Sequence, residues 1–172
     1  MVETNAPKTI CFTGHRSNKL PWKYDETKES CVLFKKHLKS VLIKAIENGF
    51  TNFISGMAIG VDTIAAELVI ELRNTYKSVT LEGAIPCPGQ ESPWPQKARV
   101  RYKELLAQCD TIHYVSDHYT DTCMNDRNLY MVEKSDAVIA VWNGKPSGTG
   151  NTVRFAKEHG CKVKIINPDD FA

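Results

Sequence analysis

The six cysteines of this chain include no Cys-x-x-Cys pair and follow no regular spacing. Paired or regularly spaced cysteines mark zinc sites, redox motifs and disulfide-rich secreted domains. No signal peptide is recognisable ahead of them. We therefore expect a cytoplasmic protein whose cysteines are reduced core thiols: Cys11, Cys31, Cys87, Cys109, Cys123 and Cys161.

Long apolar runs and an excess of charge of one sign are also missing. No stretch approaches the roughly 18 apolar residues that a spanning helix needs, so no membrane partner is expected. The 22 basic and 20 acidic side chains leave a net charge of +2 and form no basic run. A nucleic-acid partner is not expected, because such proteins carry a basic patch or stripe. No metal site is expected either, since the histidines are not paired with cysteines or carboxylates at ligand spacing.

The common cofactor and nucleophile motifs are absent as well. The first glycine turn lacks Gly-x-Gly-x-x-Gly, and no Gly-x-x-x-x-Gly-Lys-Ser/Thr occurs. These absences argue against a standard dinucleotide fold and against a P-loop ATPase. Ser55 has neither a nucleophile-elbow pattern nor an evident histidine partner, which argues against a serine hydrolase. No motif identifies catalytic residues.

The sequence does contain a regular alternation of apolar runs and amphipathic segments, which predict strands and helices. With 172 residues, 42% of them apolar, the chain suits a single domain over residues 1–172, with residues 1–8 frayed. The predicted strands are residues 9–13, 51–55, 78–85, 111–115, 137–142 and 162–166. Predicted helices begin near residues 31, 64, 93, 124 and 149 and end near residues 48, 72, 106, 134 and 159.

This alternation implies an α/β fold, a parallel sheet of about six strands with helices on both faces, because parallel strands need crossover helices. In such a sheet, ligands bind beyond the carboxyl ends of the strands. The segment from Ser17 to Lys28 is long enough to fold over that edge as a lid. Ser92 is expected to cap the third helix, and Val100 to be buried by it.

Two turns at that edge are rich in glycine and precede a helix. One runs from Gly56 to Asp62, and the other runs from Asn143 to Gly150, with a helix beginning near Thr149 or Gly150. Glycines let the backbone approach a ligand, and a helix N-terminus offers unpaired amides and a positive dipole end to an anion. Two such turns favour a phosphorylated nucleotide as the ligand. The alternative, that each is an ordinary connection, stays open.

Charged side chains near this edge suit the same ligand. Arg127 and Asn128 share a helix face with two methionines, where an unpaired charge is costly, so ligand binding is preferred to a solvated surface. Arg16 directly follows a strand, and its guanidinium suits phosphate. Asp62 either complements the helix dipole or accepts a hydrogen bond from a ribose hydroxyl or a base.

Aromatic residues near the edge leave two uses open. Trp22, Tyr24 and Trp94 can stack on a base, although packing is the commoner use of such side chains. The predicted ligand-binding residues are Gly14, His15, Arg16, Ser55, Gly56, Met57, Gly60, Asp62, Arg127, Asn128, Gly148, Thr149 and Gly150.

Four motifs together resemble the YpsA-like branch of the SLOG superfamily, over residues 8–168. They are Thr13-Gly14-His15-Arg16, the stretch from Ile54 to Asp62, the stretch from Cys123 to Val132, and Pro146-Ser147-Gly148-Thr149. The resemblance implies a Rossmann-like fold and a nucleotide, NAD-derived or ADP-ribose-like ligand. The superfamily also includes the lonely-guy phosphoribohydrolases and the DNA-processing protein DprA.

The lonely-guy enzymes offer a comparison residue by residue. Arg127 resembles the arginine that these enzymes carry in a helix. Their Pro-Gly-Gly-x-Gly-Thr-x-Glu-Glu loop supplies a glutamate that assists loss of the base, but Asn151 and Thr152 stand in its place. Neither can act as a carboxylate acid or base, a role worth about 10²–10⁴-fold in rate. Hydrolysis is therefore expected to be poor or absent, unless a carboxylate comes from Asp62, Glu67 or Asp126.

The sequence thus predicts a nucleotide-binding protein that senses, carries or sequesters its ligand, with no further cofactor identified. One alternative is a nucleoside monophosphate phosphoribohydrolase or a glycohydrolase of NAD-like ligands. A weaker alternative is a DNA-binding module like DprA. Apolar helix faces would permit a homodimer.

Overall fold

A computed structural model describes residues 6–172 of the chain. Within this range, six strands alternate with five α-helices. The strands are β1 (Lys8–Gly14), β2 (Phe50–Ser55), β3 (Thr80–Ile85), β4 (Thr111–Tyr114), β5 (Ala137–Val141) and β6 (Lys162–Ile166). The helices are α1 (Glu29–Glu47), α2 (Val61–Arg73), α3 (Gln96–Ala107), α4 (Cys123–Glu133) and α5 (Gly148–Glu158). Short 3-10 turns cover Ser17–Lys19 and Pro168–Phe171.

The strands form one parallel sheet in the order β4-β3-β2-β1-β5-β6. The predicted α/β fold with a parallel sheet is therefore confirmed. From β1 the chain adds β2, β3 and β4 on one side and then returns to add β5 and β6 on the other. This reversal opens a crevice between the carboxyl ends of β1 and β5, which is where open α/β sheets bind ligands.

Strand β1 shows how the sequence buries both faces of the sheet. Its side chains alternate, so that Ile10 and Phe12 join one core cluster and Cys11 joins the other. The first cluster contains residues of α1, α2 and α3, whereas the second contains Met131 of α4 and Ala156 of α5. Helices therefore cover both faces, as predicted, with α1 to α3 on one side and α4 and α5 on the other.

The segment between β1 and α1, predicted as a lid, is anchored in the core. Leu20 and Trp22 are buried, and the ring of Trp22 stacks on Phe34 with 4.9 Å between centroids. Trp22 is therefore a packing residue, which answers the alternative left open by the sequence. Trp94 packs edge-on against Tyr102, with 5.4 Å between ring centroids.

The start of α3 corrects two predictions. Ser92 does not cap this helix, which begins directly after Pro95 and receives no side-chain cap from the described residues. Val100 was expected to be buried but is 48% exposed, whereas Tyr102 and Leu105 are buried. Residues two apart on a helix point to different faces, so Val100 cannot share the buried face of Tyr102.

The beginning of the chain falls partly outside the described range. Residues 1–5 belong to the segment predicted to be frayed and lie outside the described residues. Lys8 is already the first residue of β1, and its amide donates to the carbonyl of Gly49 at 3.2 Å. Strand β1 thus begins one residue before the predicted Thr9.

Candidate functional site

A cavity of about 210 Å³, here called the first cavity, opens at the reversal point of the sheet. Among its described lining residues are three permanent cations, Arg16, Lys19 and Arg127, and a single carboxylate, Asp62. The cavity therefore favours an anion. The full lining comprises Phe12, Thr13, Gly14, His15, Arg16, Lys19, Ala58, Asp62, Met124, Arg127, Asn128, Met131, Ser147, Gly148 and Thr149.

Arg127, on α4, is the most deeply buried cation of the site, with only 4% of its surface exposed. Its Nη1 donates to the carbonyl oxygens of Gly56 at 2.6 Å and Ala84 at 3.4 Å, and its Nε donates to Asn128 Oδ1 at 2.9 Å. Burial lowers the pKa of Arg127, although Asp62 opposes that shift. Carbonyl dipoles thus hold a guanidinium that lacks a carboxylate in contact among the described residues.

Asp62, the second residue of α2, faces the same cavity from the start of that helix. Its Oδ2 accepts a hydrogen bond from the amide of Ala58 at 3.3 Å. Ser55 Oγ donates to the Asp62 carbonyl at 2.9 Å and accepts from the amide of Met57 at 3.1 Å. Burial raises the pKa of Asp62, and the positive charges of Arg127 and Arg16 act against this rise.

The glycines around Asp62 allow close contact between backbone segments. A Cβ on Gly56 would lie 2.6 Å from Arg127 Nη1 and 2.8 Å from Asp62 Oδ2. Gly60 has a φ of +111°, and its Cβ would lie 2.7 Å from the carbonyl oxygen of His15. Gly56 and Gly60 therefore do not line the cavity, but they allow the segments that form its walls to pack closely.

The β5–α5 turn supplies a helix N-terminus to the cavity. Ser147 caps α5, its Oγ accepting from the amide of Gly150 at 3.1 Å. The helix begins at Gly148, one residue before the predicted start, and the amides of its first turn have no acceptor within the helix. Gly150 itself faces Trp142, since an added Cβ would lie 3.0 Å from Cζ2 of that ring.

His15 links the turns that follow β1 and β5. It is buried, and its Nε2 accepts a hydrogen bond from the amide of Asn143 at 3.3 Å. Burial lowers the pKa of His15. The imidazole is therefore neutral at neutral pH and holds the two turns together through an unprotonated nitrogen.

The predicted site residues divide into two groups. Those that line the first cavity are Gly14, His15, Arg16, Asp62, Arg127, Asn128, Gly148 and Thr149. Those that lie outside its lining are Ser55, Gly56, Met57, Gly60 and Gly150.

Sequence reasoning missed Lys19 and Ser147. The 3-10 turn Ser17–Lys19 brings Lys19 to the cavity. A cation three residues after Arg16 was a visible signal, because one helical turn places such residues on one face. Ser147 precedes the glycine-rich start of α5, where serine is a preferred N-cap.

The residues that replace the lonely-guy glutamates do not enter the cavity lining. Asn151 is exposed, and Thr152 Oγ1 donates to the carbonyl of Gly148 at 3.1 Å. Of the carboxylates considered in their place, Glu67 pairs with Arg101, and Asp126 accepts a hydrogen bond from Thr122 at 3.0 Å. Asp62 is the candidate that lies in the cavity.

Three further observations concern residues 6–172 as a whole. No group of three or more His, Cys, Asp or Glu side chains in this range is arranged to hold a metal ion. No helix in this range combines the length and apolar character needed to cross a bilayer. All six cysteines are free, and four of them are buried.

A model of the YspA SLOG family matches residues 10–171 of the chain. A UPF0398 protein of Halalkalibacterium halodurans is 25% identical over 170 residues, covering 95% of this chain and 89% of the relative. A UPF0398 protein of Bacillus cereus is 31% identical over 157 residues, covering 89% of this chain and 84% of the relative.

Two solved structures of DNA processing protein A share the fold. The protein from Helicobacter pylori, studied for its single-stranded DNA binding mode, matches 95% of this chain with a TM-score of 0.63 and 20% identity. The protein from Streptococcus pneumoniae matches 94% with a TM-score of 0.61 and 21% identity. This chain spans 66% and 50% of the length of those two structures. At sequence identities of 20% and 21%, the structural similarity establishes only that the proteins share a fold.

Proposed function

The chain belongs to the YspA SLOG family, as its motifs predicted, and we propose that it binds a nucleotide or a nucleotide derivative in the first cavity. The observation that carries this proposal is the convergence of Arg16, Lys19 and Arg127 with the N-terminus of α5 on one small space. Cations and helix N-termini are the groups that proteins use to bind phosphate.

In this proposal the phosphate lies against the first-turn amides of α5 and the side chains of Arg16 and Lys19. Arg127, held by hydrogen bonds to the carbonyls of Gly56 and Ala84, adds positive charge to the cavity. Asp62 accepts hydrogen bonds from ribose hydroxyls through its carboxyl oxygens. The volume of about 210 Å³ suits a phosphoribosyl unit, because sites for whole drug-sized ligands measure about 300–1,000 Å³.

The role proposed for this binding is sensing, carrying or sequestering the ligand. The family loop that supplies a glutamate in the phosphoribohydrolases carries Asn151 and Thr152 here, and neither side chain lines the cavity. Tight binding without efficient conversion is what a sensor or carrier requires.

Hydrolysis of the N-glycosidic bond is the second candidate, and the position of Asp62 favours it. Asp62 lies among three cations in the cavity, where a carboxylate could accept the proton of a water attacking the anomeric carbon. The bond electrons would leave with the base. The proton taken up by Asp62 would then pass to a base that leaves as an anion, as adenine does, or to solvent when the base leaves neutral, as nicotinamide does. Asp62→Asn would abolish such a reaction while preserving the shape of the side chain.

DNA binding is a third outcome that the same experiment must include, because DNA processing protein A shares this fold. The balanced charge of this chain, +2 overall, does not favour it. Non-specific binding to DNA depends on phosphate contacts from clustered Lys and Arg, and it falls steeply with salt.

The test is to incubate the purified chain with AMP, ADP-ribose, NAD and a single-stranded oligonucleotide, remove unbound material and identify by mass what remains. We expect an intact nucleotide to be retained. Release of free base with ribose phosphate would identify a hydrolase, and retention of the oligonucleotide alone would identify a DNA-binding module. Retention of none of the probes would contradict the proposal.

A further inference from the structure

A second cavity, of about 520 Å³, lies beside the first at the same edge of the sheet. The two are separated by a backbone ridge where Gly60 meets the turn after β1. Consecutive residues face opposite sides of this ridge. Arg16 and Ala58 line the first cavity, whereas Ser17 and Ile59 line the second.

Arg101 lines the second cavity, and most of its guanidinium N–H groups are already hydrogen-bonded to carboxylates. Its Nε and Nη2 donate to the carboxylate of Glu67, and its Nη1 and Nη2 donate to that of Glu26. Four of its five N–H groups are therefore engaged by carboxylates. What such a guanidinium offers a ligand is its flat face, which stacks on aromatic rings.

Aromatic and apolar side chains form the other walls. Trp94 is held edge-on by Tyr102, with 5.4 Å between ring centroids, and Ile59 and Ala98 line the same cavity. Tyr24, also on the rim, is 64% exposed. Large aromatic surfaces left accessible around a cavity are typical of ligand sites, where they add stacking energy beyond the area they bury.

The charge of the second cavity is opposite to that of the first. Its lining contains three carboxylates, Asp25, Glu26 and Glu67, and two cations, Lys97 and Arg101. Hydrogen bonds from Thr27 lower the pKa of Asp25. Burial acts against ionisation of Glu26, but the hydrogen bonds from Arg101 and Lys35 prevail and lower its pKa. Asp25 and Glu26 are therefore ionised at neutral pH, and an anionic ligand is disfavoured.

We propose that the second cavity binds a planar heteroaromatic ring that is uncharged or cationic, packed on Trp94 and Tyr24 and against the face of Arg101. The ring belongs either to the nucleotide held by the first cavity or to a separate small molecule, and its chemistry is the same in both cases. The proposal concerns the second cavity alone and does not require the first to bind phosphate.

Nicotinamide and nicotinate are the matched probes, because they have the same ring and similar size but nicotinate carries a negative charge at neutral pH. Saturation-transfer NMR on the full chain is expected to detect nicotinamide at millimolar concentration, the usual affinity range for a fragment of this size. Nicotinate is expected to give at least a fivefold weaker signal. Equal signals from the two probes, or none from nicotinamide, would overturn the proposal.

Two variants on α3 locate the site. Ala98→Trp fills the second cavity and is expected to abolish the nicotinamide signal. Val100→Trp adds the same ring at a position that is 48% exposed and outside the cavity, and it should leave the signal unchanged. Tyr24→Ala, at an exposed position that does not endanger folding, should reduce the signal several-fold. A signal that survives in Ala98→Trp would place the ring elsewhere and refute the assignment.

Competition then identifies the source of the ring. If the ring belongs to the nucleotide, saturating NAD will displace nicotinamide from the wild-type chain, and Arg127→Ala will weaken that displacement. If the ring is a separate molecule, nicotinamide will remain bound in the presence of NAD. Both outcomes support the ring site, and a loss of NAD binding alone would count only against the first cavity.

Discussion

At the scale of single residues, Arg127 and Asp62 set the character of the first cavity. Arg127 is 4% exposed and bonded to two backbone carbonyls and one side-chain amide. Burying a cation costs several kcal/mol unless partners compensate. Asp62 lies across Gly56, close enough that a single added Cβ there would touch both side chains. The two charges thus face one space without an ion pair between them among the described contacts.

Asp62→Asn is expected to change the affinity for two probes in opposite directions. Loss of the negative charge should strengthen binding of inorganic phosphate by roughly 1 kcal/mol, since like charges near an anion are unfavourable. Loss of a charged acceptor should weaken binding of AMP by about 1–2 kcal/mol if Asp62 holds the ribose. Calorimetric titration measures both affinities.

The matched control for this change is Asp126→Asn. Asp126 is exposed on the first turn of α4 and lies outside the lining of the first cavity. Asp126→Asn should leave the affinities for phosphate and for AMP unchanged. If Asp62→Asn strengthened the binding of both phosphate and AMP, Asp62 would have no role at the ribose.

At the scale of elements, the site depends on two turns that touch through glycine. Gly60 adopts a φ of +111°, and a Cβ there would lie 2.7 Å from the His15 carbonyl oxygen and 2.8 Å from the Ser17 amide nitrogen. Both contacts are with backbone, which cannot move aside as a flexible side chain can. Gly60→Ala should therefore destabilise the fold by about 2–3 kcal/mol, measured by urea unfolding.

Gly148→Ala is the control for this prediction. Gly148 is the first residue of α5, and an added Cβ would meet no heavy atom of the described residues within 4 Å. The free energy of unfolding of Gly148→Ala should stay within about 0.5 kcal/mol of that of the wild type. Equal destabilisation by the two substitutions would show that the contact between turns is unimportant.

The hydrogen bond between His15 and Asn143 makes the contact between the β1 and β5 turns sensitive to pH. Because burial lowers the pKa of His15 in the folded chain, the unfolded chain binds a proton first as the pH falls. The free energy of unfolding should therefore decrease as the pH falls below the ordinary histidine pKa of about 6.5. His15→Gln should reduce this decrease while its amide oxygen still accepts from Asn143.

Thermal unfolding at pH 7.5, 6.5 and 5.5, values spaced around the ordinary histidine pKa, measures this effect. His159→Gln, at an exposed residue after α5, is the matched control and should keep the wild-type dependence. If the stability of His15→Gln fell with pH as steeply as that of the wild type, protonation of His15 would not weaken the contact between the turns.

At the scale of the whole molecule, the fold was predictable because its signals are local. The apolar runs and helical spacings predicted the sheet, and β6 has the predicted bounds, Lys162–Ile166. Which face of a helix is buried was less predictable where several apolar residues could face the core. On α3, Val100 and Tyr102 cannot both face the core, and the ring contact with Trp94 selects Tyr102.

The candidate site was predictable at the carboxyl end of a strand, as at Gly14, the last residue of β1, and at His15 and Arg16, which follow it. A glycine that faces a ligand cannot be distinguished by sequence from one that lets two segments touch, because both need the absence of a Cβ. Gly60 and Gly150 are of the second kind by their position in the fold. Of the second cavity, only Tyr24 and Trp94 were named in advance as possible stacking residues. The cavity itself could not be predicted, since its walls come from α2, α3 and the segment after β1.

The most direct measurement is calorimetric titration of AMP, ADP-ribose and NAD into the wild type, Arg127→Ala and Arg154→Ala. Arg154 is an exposed arginine on α5, outside the first cavity, and controls for loss of charge. Gln90 also donates to the Gly56 carbonyl, at 3.2 Å, so that oxygen keeps a partner when Arg127 is removed.

We predict that at least one of these nucleotides binds the wild type and Arg154→Ala equally. Binding to Arg127→Ala should be weaker by about 1.5–3 kcal/mol, or about 10- to 150-fold, the loss of hydrogen bonds to a charged group. Equal affinity for Arg127→Ala, or no binding of any of the three to the wild type, would contradict a nucleotide site in the first cavity.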